Sequence, residues 1–548
     1  MPKALPIGRD DFKEVIEEDL YYVDKTSIIE GLLSKKKYVT LFPRPRRFGK
    51  SLFISMLDNF FNIEYKDINK NLFEGLNISN SEYYQQLSTR PVIKLDFKVL
   101  KKDSYEQMYN SFKEIIRELY SKKKFLLEVI DYDEVDLFNR FLSKTASRDE
   151  YEKCVYLLSN YMYRYYNIKP IILIDEYDVP IERGYINNYY DDAVSLIKDV
   201  FSSALKSNNN ISFAVMTGVL RVSKESLFSD LNNVDVYNMN DKEYNEYFGF
   251  TIDETKKLLE FYNLELNEDV KDMYDGYNFG GVEIYNPWSI IKYADRRVLE
   301  PFWVNTSGNE LIIKTVSDCK TNVKILIEKL LLGETVEFEY NDKTTYQDYN
   351  DLADSDSIFN LLLASGYLTI EKEYLDDFGE EITLVKLPNK EVRYFFKKMI
   401  VEIIKNDYNI DNSKIKNFCI AVLNNNKEKL EEILNKMLPN MSYHDTNESG
   451  YHNYILGIFS LFLNDDKFIV RSNRESGIGR FDLMIKDKYF NKGIIIEFKI
   501  TKNDMEESAL KAINQIEEKE YYLDLINEGY KDINKFAIVF RDKSCIVR

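Results

Sequence analysis

The 548 residues carry 74 Lys and Arg against 92 Asp and Glu, a formal net charge of −18. That balance excludes a globally basic nucleic-acid binder but leaves open a basic potential confined to one site. At 44% hydrophobic and 30% charged, the composition is globular. A chain of this length predicts roughly three to four domains. Cys154, Cys319, Cys419 and Cys545 are far apart and form no C-x-x-C pair, and His444 and His452 are too few to complete a zinc site with them. No disulfide framework is expected, as suits a reducing cytosol. The 42 tyrosines fit a coding bias, so runs such as Tyr161 to Tyr166 are expected in cores and on helix faces. Met1–Pro6 is followed by Arg9, Asp10 and Asp11 with no apolar stretch between. No secretory leader and no membrane span are predicted, and the expected location is cytoplasmic.

The first clear element is the buried strand Tyr38 to Phe42, followed by Pro43-Arg44-Pro45-Arg46-Arg47-Phe48-Gly49-Lys50-Ser51 and an apolar helix from Leu52. Strand, loop, Gly-Lys-Ser, helix is the layout of a phosphate-binding loop. Gly49 and the helix N-terminus would receive phosphates, Lys50 would reach the terminal ones, and Ser51 would ligate Mg²⁺. The pattern asks for glycine at 44, where this chain has arginine, and Pro45 removes a backbone donor. Arg44, Arg46 and Arg47 are expected near the phosphates.

Pro91 to Phe97 is a second apolar strand, and Pro170 to Ile174 a third that ends in Asp175-Glu176-Tyr177-Asp178. Asp175 would hold the Mg²⁺ water shell and Glu176 would polarise the attacking water. The strand Ser212 to Gly218 stops at Thr217, placed to sense a γ-phosphate, and Arg221 follows it. Helical patterns at Glu114 to Leu119, Tyr151 to Tyr166 and Asp191 to Leu205 alternate with these strands and predict a doubly wound α/β domain. Helices over Asp241 to Phe248 and Asp253 to Phe261 would form a lid, and Tyr274 to Gly281 a turn-rich joint. From about 310 to 430 the pattern is largely helical. Ile358 to Leu363 there runs into a short strand pair closed by Leu384 to Asn389.

The last part predicts a hairpin, Gly479 to Ile485 with Gly493 to Lys499, and then a helix over Ser508 to Ile516. Side chains two apart on a strand share a face, so Glu497 and Lys499 point the same way and the hairpin brings Asp482 beside them. Two acids and a lysine suit a hard divalent cation and a phosphodiester. Arg471, Arg474, Arg480, Lys499, Lys502 and Lys511 would form a modest basic rim. His452 lies four residues after Glu448 and shares its face on a helix, as a contact near the metal or as a packing residue.

The phosphate loop, the Asp175-Glu176 strand and the run Thr217 to Ser229 together resemble the AAA-ATPase-like family, and the carboxy-terminal set resembles the PD-(D/E)XK nuclease superfamily. The resemblance implies a P-loop ATPase of the additional-strand, AAA-like type over 1–238, with Leu5 to Gly8 and Tyr21 to Thr26 near the nucleotide base. A helical lid region over 239–310 and a mostly helical connecting module over 311–430 would follow. Residues 431–548 would form an α/β restriction-endonuclease-like domain. Asp482, Glu497 and Lys499 would be its catalytic core, with Asp482 and Glu497 on the metal, Glu448 a supporting helix acid, and Gln515 facing substrate. The family's P-D dipeptide is Phe481-Asp482 here. The implied activities are an ATPase and a metal-dependent nuclease using ATP and Mg²⁺, with Mn²⁺ as a substitute, on DNA ahead of RNA. A homo-oligomer stays open. The rival expectation is a nucleotide-dependent switch or interaction protein whose carboxy-terminal domain binds nucleic acid or protein without cutting.

Overall fold

A computed structural model describes residues 2–69, 71–220, 233–306, 308–319, 321–341, 355–408, 412–440, 467–472, 475–476 and 479–548. The chain forms two compact units, Met1–Thr315 with Glu337–Val392, and Val316–Val336 with Arg393–Arg548.

In the first unit β1 (Val39–Pro43) leads through the 44–49 turn into α1 (Lys50–Phe61). Then come β2 (Val92–Asp96), β3 (Ile171–Asp175), β4 (Ala214–Gly218) and β5 (Val234–Val236). The described residues give a parallel sheet ordered β2-β3-β4-β1-β5. Every residue of β1, β3 and β4 is buried. Their continuous apolar runs therefore follow from a sheet covered on both faces. Tyr105–Lys122, Cys154–Tyr166 and Tyr190–Leu205 are among the helices between the strands, and Tyr161 and Met162 are core residues. Register sets the site: Phe42 pairs with Thr217, Pro43 with Gly218 and Asp96 with Asp175, so the carboxyl ends of these strands finish level. In open α/β sheets that edge is where ligands bind.

The segment Asp241 to Phe248 departs from expectation, forming turns and no helix. Tyr244 sits at φ 60°. Its carbonyl, like that of Tyr237, accepts from the buried Arg44 guanidinium, so the backbone serves that cation and not a helical ladder. The second expected helix of this region is present as Ile252–Phe261. Ser355–Ala364 runs into the hairpin Thr369–Leu375 and Glu381–Lys386.

The second unit holds β6 (Phe468–Ser472), β7 (Leu483–Asp487), β8 (Lys492–Ile500), α2 (Met505–Glu518), β9 (Asp532–Arg541) and β10 (Ser544–Val547). Its sheet is ordered β6-β7-β8-β9-β10, with only β8 and β9 parallel. That parallel pair is possible because α2 makes the crossover. Ile494, Ile496 and Phe498 of β8 pack with residues of the helices Asn412–Leu423 and Lys427–Met437. On the opposite face Ile495 meets Ile516 of α2 and Tyr521.

Gly276 lies in the turn-rich joint at φ +103°, and a Cβ there would stand 2.0 Å from the Pro388 carbonyl oxygen. Gly281 has φ +90° but open space around it. Gly281→Ala should cost about 1–2 kcal/mol of left-handed backbone strain, and Gly276→Ala about 1–3 kcal/mol more from the clash. Thermal melts of both variants check this; equal midpoints would contradict it.

Candidate functional sites

The phosphate loop turns on two left-handed residues, Arg47 at φ 69° and Gly49 at φ 90°. Gly49 caps α1 without a side-chain hydrogen bond, which leaves the first N–H groups of the helix facing the loop. Lys50 is buried, its Nζ donating to the carbonyls of Arg44 and Pro45 at 3.1 Å each and lying 3.8 Å from Glu176. The Thr217 hydroxyl donates to Asp175 Oδ1 at 2.5 Å. Burial first, and then the charge of Glu176, raise the Asp175 carboxyl, while hydrogen bonds from Ser51 and Thr217 and the charge of Lys50 pull it back. Gly49, Lys50, Ser51, Asp175, Glu176 and Thr217 thus converge at the strand ends; Arg221 lies outside the described residues.

Arg44, in place of glycine, explains itself. It is not among the residues with positive φ, so its backbone needs no glycine. Its guanidinium is fully buried, donates to the carbonyls of Pro43 at 2.8 Å and Tyr237 at 2.6 Å, and lies 4.9 Å over the Phe248 ring. Burial pulls its pKa down to about 9. Arg44 thus braces the loop from beneath and does not face phosphate. Arg47 lies 4.5 Å over the Trp288 ring.

Two residues quoted in the Asp-Glu-Tyr-Asp run, but given no role from sequence, tie the strands together. Asp178 Oδ2 accepts from the N–H groups of Val219 and Leu220 at 2.9 Å each, and the Tyr177 hydroxyl donates to the Leu220 carbonyl at 2.5 Å. Burial, then Glu176, push the Asp178 carboxyl up to about 7. The acid spaced three after Asp175 was the available signal.

In the second unit Leu483 pairs with Ile496, which sets Asp482 beside the end of β8. Asp482 Oδ2 accepts the Phe498 N–H at 2.7 Å. Lys499 Nζ donates to Glu497 Oε1 at 2.9 Å, and Gln515 Nε2, from α2, to the same oxygen at 2.5 Å and to the Tyr521 hydroxyl at 3.1 Å. Asp482, Glu497, Lys499 and Gln515 are therefore gathered, while Glu448 and His452 lie outside the described residues. Glu497 is 1% exposed and its Oε2 is buried without a hydrogen-bond partner. Burial, followed by Asp482, pushes its carboxyl up to about 7, and burial also raises Asp482. An orphaned carboxylate oxygen beside a second carboxylate fits a hard cation bound through oxygen. Among the described residues no three His, Cys, Asp or Glu side chains cluster as ligands, so Asp482 and Glu497 are a pair here. Of the expected basic rim, Arg471 pairs with Glu528 at 3.7 Å and Lys511 with Glu507 at 2.7 Å.

A carboxyl raised from 4.5 to about 7 favours the folded state fully below the lower value and loses that contribution as pH rises through the upper one. In chelator, Glu497→Gln should therefore gain on the parent by on the order of 2 kcal/mol between pH 4.5 and 8. Denaturant melts across that range check it, and parallel profiles would contradict it.

Residues 6–228 match the family described as Predicted AAA-ATPase, and residues 446–548 the PD-(D/E)XK nuclease superfamily. A curated relative, "Uncharacterized protein in vnfD 5'region" of Azotobacter chroococcum mcd 1, is 26% identical over 376 residues. The match covers 67% of this chain and 64% of that protein's length. No helix among the described residues is long and apolar enough to cross a membrane. The chain carries an AAA-ATPase-like domain at its front and a PD-(D/E)XK nuclease superfamily domain at its end.

Proposed function

We propose that the carboxy-terminal domain cuts phosphodiester bonds, in DNA ahead of RNA, with Mg²⁺ (or Mn²⁺) held by Asp482 and Glu497. The observation that carries this is the bare, buried Glu497 Oε2 beside Asp482, with Lys499 on the other oxygen of the same carboxylate. The cation, when bound, lowers the pKa of its water and offsets charge on the phosphate. The protein's own part is positional. Gln515 and Lys499 fix the Glu497 carboxylate, and the Phe498 N–H fixes Asp482. Lys499 orients the attacking water and meets negative charge developing on the phosphate.

The front domain binds ATP and hydrolyses it slowly. Gly49, Lys50 and Ser51 receive the phosphates, and Lys50 exchanges the Arg44 and Pro45 carbonyls for phosphate oxygens. Mg²⁺ would sit between Ser51 and Asp175. Glu176 orients the attacking water, and Thr217 and Arg221 attend the γ-phosphate. Fusion in one chain couples nucleotide state to cleavage. The second reading is a switch that binds nucleic acid or protein without cutting; the pairing of Arg471 and Lys511 with acids thins the basic rim and, within that reading, favours a protein partner.

Plasmid, single-stranded DNA and RNA incubated with Mg²⁺ or Mn²⁺ should yield products. Asp482→Ala should reduce them to background, and Lys499→Ala should slow cleavage by about 100-fold or more. Products absent on every substrate would favour the non-cutting switch. Lys50→Ala should abolish retention of radiolabelled ATP, and Glu176→Gln should retain ATP but release no phosphate. With saturating ATP, a nuclease rate unchanged in Lys50→Ala would remove the coupling.

A further inference from the structure

Of the loop arginines, Arg46 alone is held by a charge. Its Nη2 donates to both carboxylate oxygens of Glu182 at 2.7 Å, and its Nη1 donates to the Gly308 carbonyl. Gly308, at φ +118°, leaves the guanidinium room that a Cβ would fill. Glu182 belongs to the helix Val179–Ile186 just after Asp178 and is 5% exposed. Burial raises its carboxyl, the charge and hydrogen bonds of Arg46 lower it, and Glu176 raises it again. The charge of Glu176 also acts on Arg46, and Glu176 lies 3.8 Å from Lys50. Arg46, three residues before Gly49 in the loop, and Glu182 therefore share an electrostatic neighbourhood with the lysine and the acid assigned to hydrolysis.

The backbone beneath this pair is pinned. The Trp303 indole N–H donates to the Arg46 carbonyl at 3.0 Å. The Trp303 backbone N–H is held by Glu391 at 2.5 Å, and that carboxylate also takes the Ser289 hydroxyl at 2.8 Å. The side chains are less confined, because Arg46 and Glu182 line a cavity together with Trp303, Asn309, Ser365 and Tyr367. A fixed backbone under a guanidinium that borders open space confines any exchange of partner to the side chain.

We propose that Arg46 is the residue that tells a nucleoside triphosphate from a diphosphate, with Glu182 occupying its Nη2 until a terminal phosphate displaces it. The inference rests on the reading of the front domain as an ATP-binding domain. Arg46 Nη2 bridges both oxygens of one carboxylate, and a terminal phosphate offers a guanidinium the same pair of charged acceptors, so one anion can replace the other. Glu182 is left behind buried and without its cation, which opposes the exchange. Removing that carboxylate's charge should therefore strengthen triphosphate binding selectively.

Equilibrium dialysis of the full chain with radiolabelled ATP and ADP, each with Mg²⁺, tests this. Glu182→Gln should raise the preference for ATP over ADP by about tenfold, through tighter ATP binding with ADP unchanged. The double variant Arg46→Gln/Glu182→Gln, which buries no unpaired charge, should lose the preference. If Glu182→Gln fails to fold, the double variant decides by the same ratio. A ratio unmoved in the folded variants, with both nucleotides still bound, overturns the role of Arg46 and leaves ATP binding standing. Failure of the wild-type chain to retain either nucleotide overturns both.

Discussion

Taking a carboxylate out of water is costly unless something replaces the water, and both sites are arranged around that cost. Burial is the largest influence raising Asp175, Asp178, Glu182, Glu391, Asp482 and Glu497. Each finds a different replacement. Asp178 takes two backbone N–H groups, Glu182 takes a guanidinium, and Glu391 takes a hydroxyl and a backbone N–H. These acids brace loops and strand ends. Glu497 is satisfied on one oxygen by Lys499 and Gln515 while its Oε2 has no hydrogen-bond partner; Asp178 likewise leaves Oδ1 unpartnered, but its Oδ2 takes two backbone N–H groups and no second carboxylate is assigned beside it as a ligand. At Glu497 the bare oxygen stands beside a second carboxylate, Asp482, and the missing interaction lies where a ligand would supply it.

The parts of this arrangement legible in the sequence are local. Gly49-Lys50-Ser51 after an apolar strand reads as a turn into a helix because the turn needs Gly49 at φ 90° and the helix starts at the next residue. The Glu497–Lys499 spacing is a strand property, and the single register that pairs Leu483 with Ile496 brings in Asp482. What could not be read depends on partners far away in the chain. Arg44 looked like a departure from the glycine pattern because its reason lies near residue 240. The segment 241–248 has a helical pattern of apolar residues, yet its Tyr244 carbonyl, with that of Tyr237 just before it, answers to that arginine. Glu182 and Glu391 sit in unremarkable helical stretches, and only the fold brings them to Arg46 and Trp303. Charged residues that work across 88 and 136 positions leave no periodicity behind.

Each site also holds a lysine against its own acid. Lys50 is 3.8 Å from Glu176 and rests on two loop carbonyls, and Lys499 is 2.9 Å from Glu497. A lysine paired with an acid of its own site avoids the penalty of an isolated buried charge, so the site can fold before it binds. At Lys50 binding would then be an exchange of partners, phosphate oxygens for loop carbonyls, whereas a cation at Glu497 Oε2 would add a partner where there is none. Exchange limits the net affinity, because the interaction lost offsets part of the interaction gained. It also makes the outcome depend on how well the incoming group matches the fork or the oxygen pair, which is a matter of geometry more than of total charge. A net charge of −18 therefore does not decide what either site could receive: selection would occur at a few buried groups, where distant surface charge is screened and close partners are not.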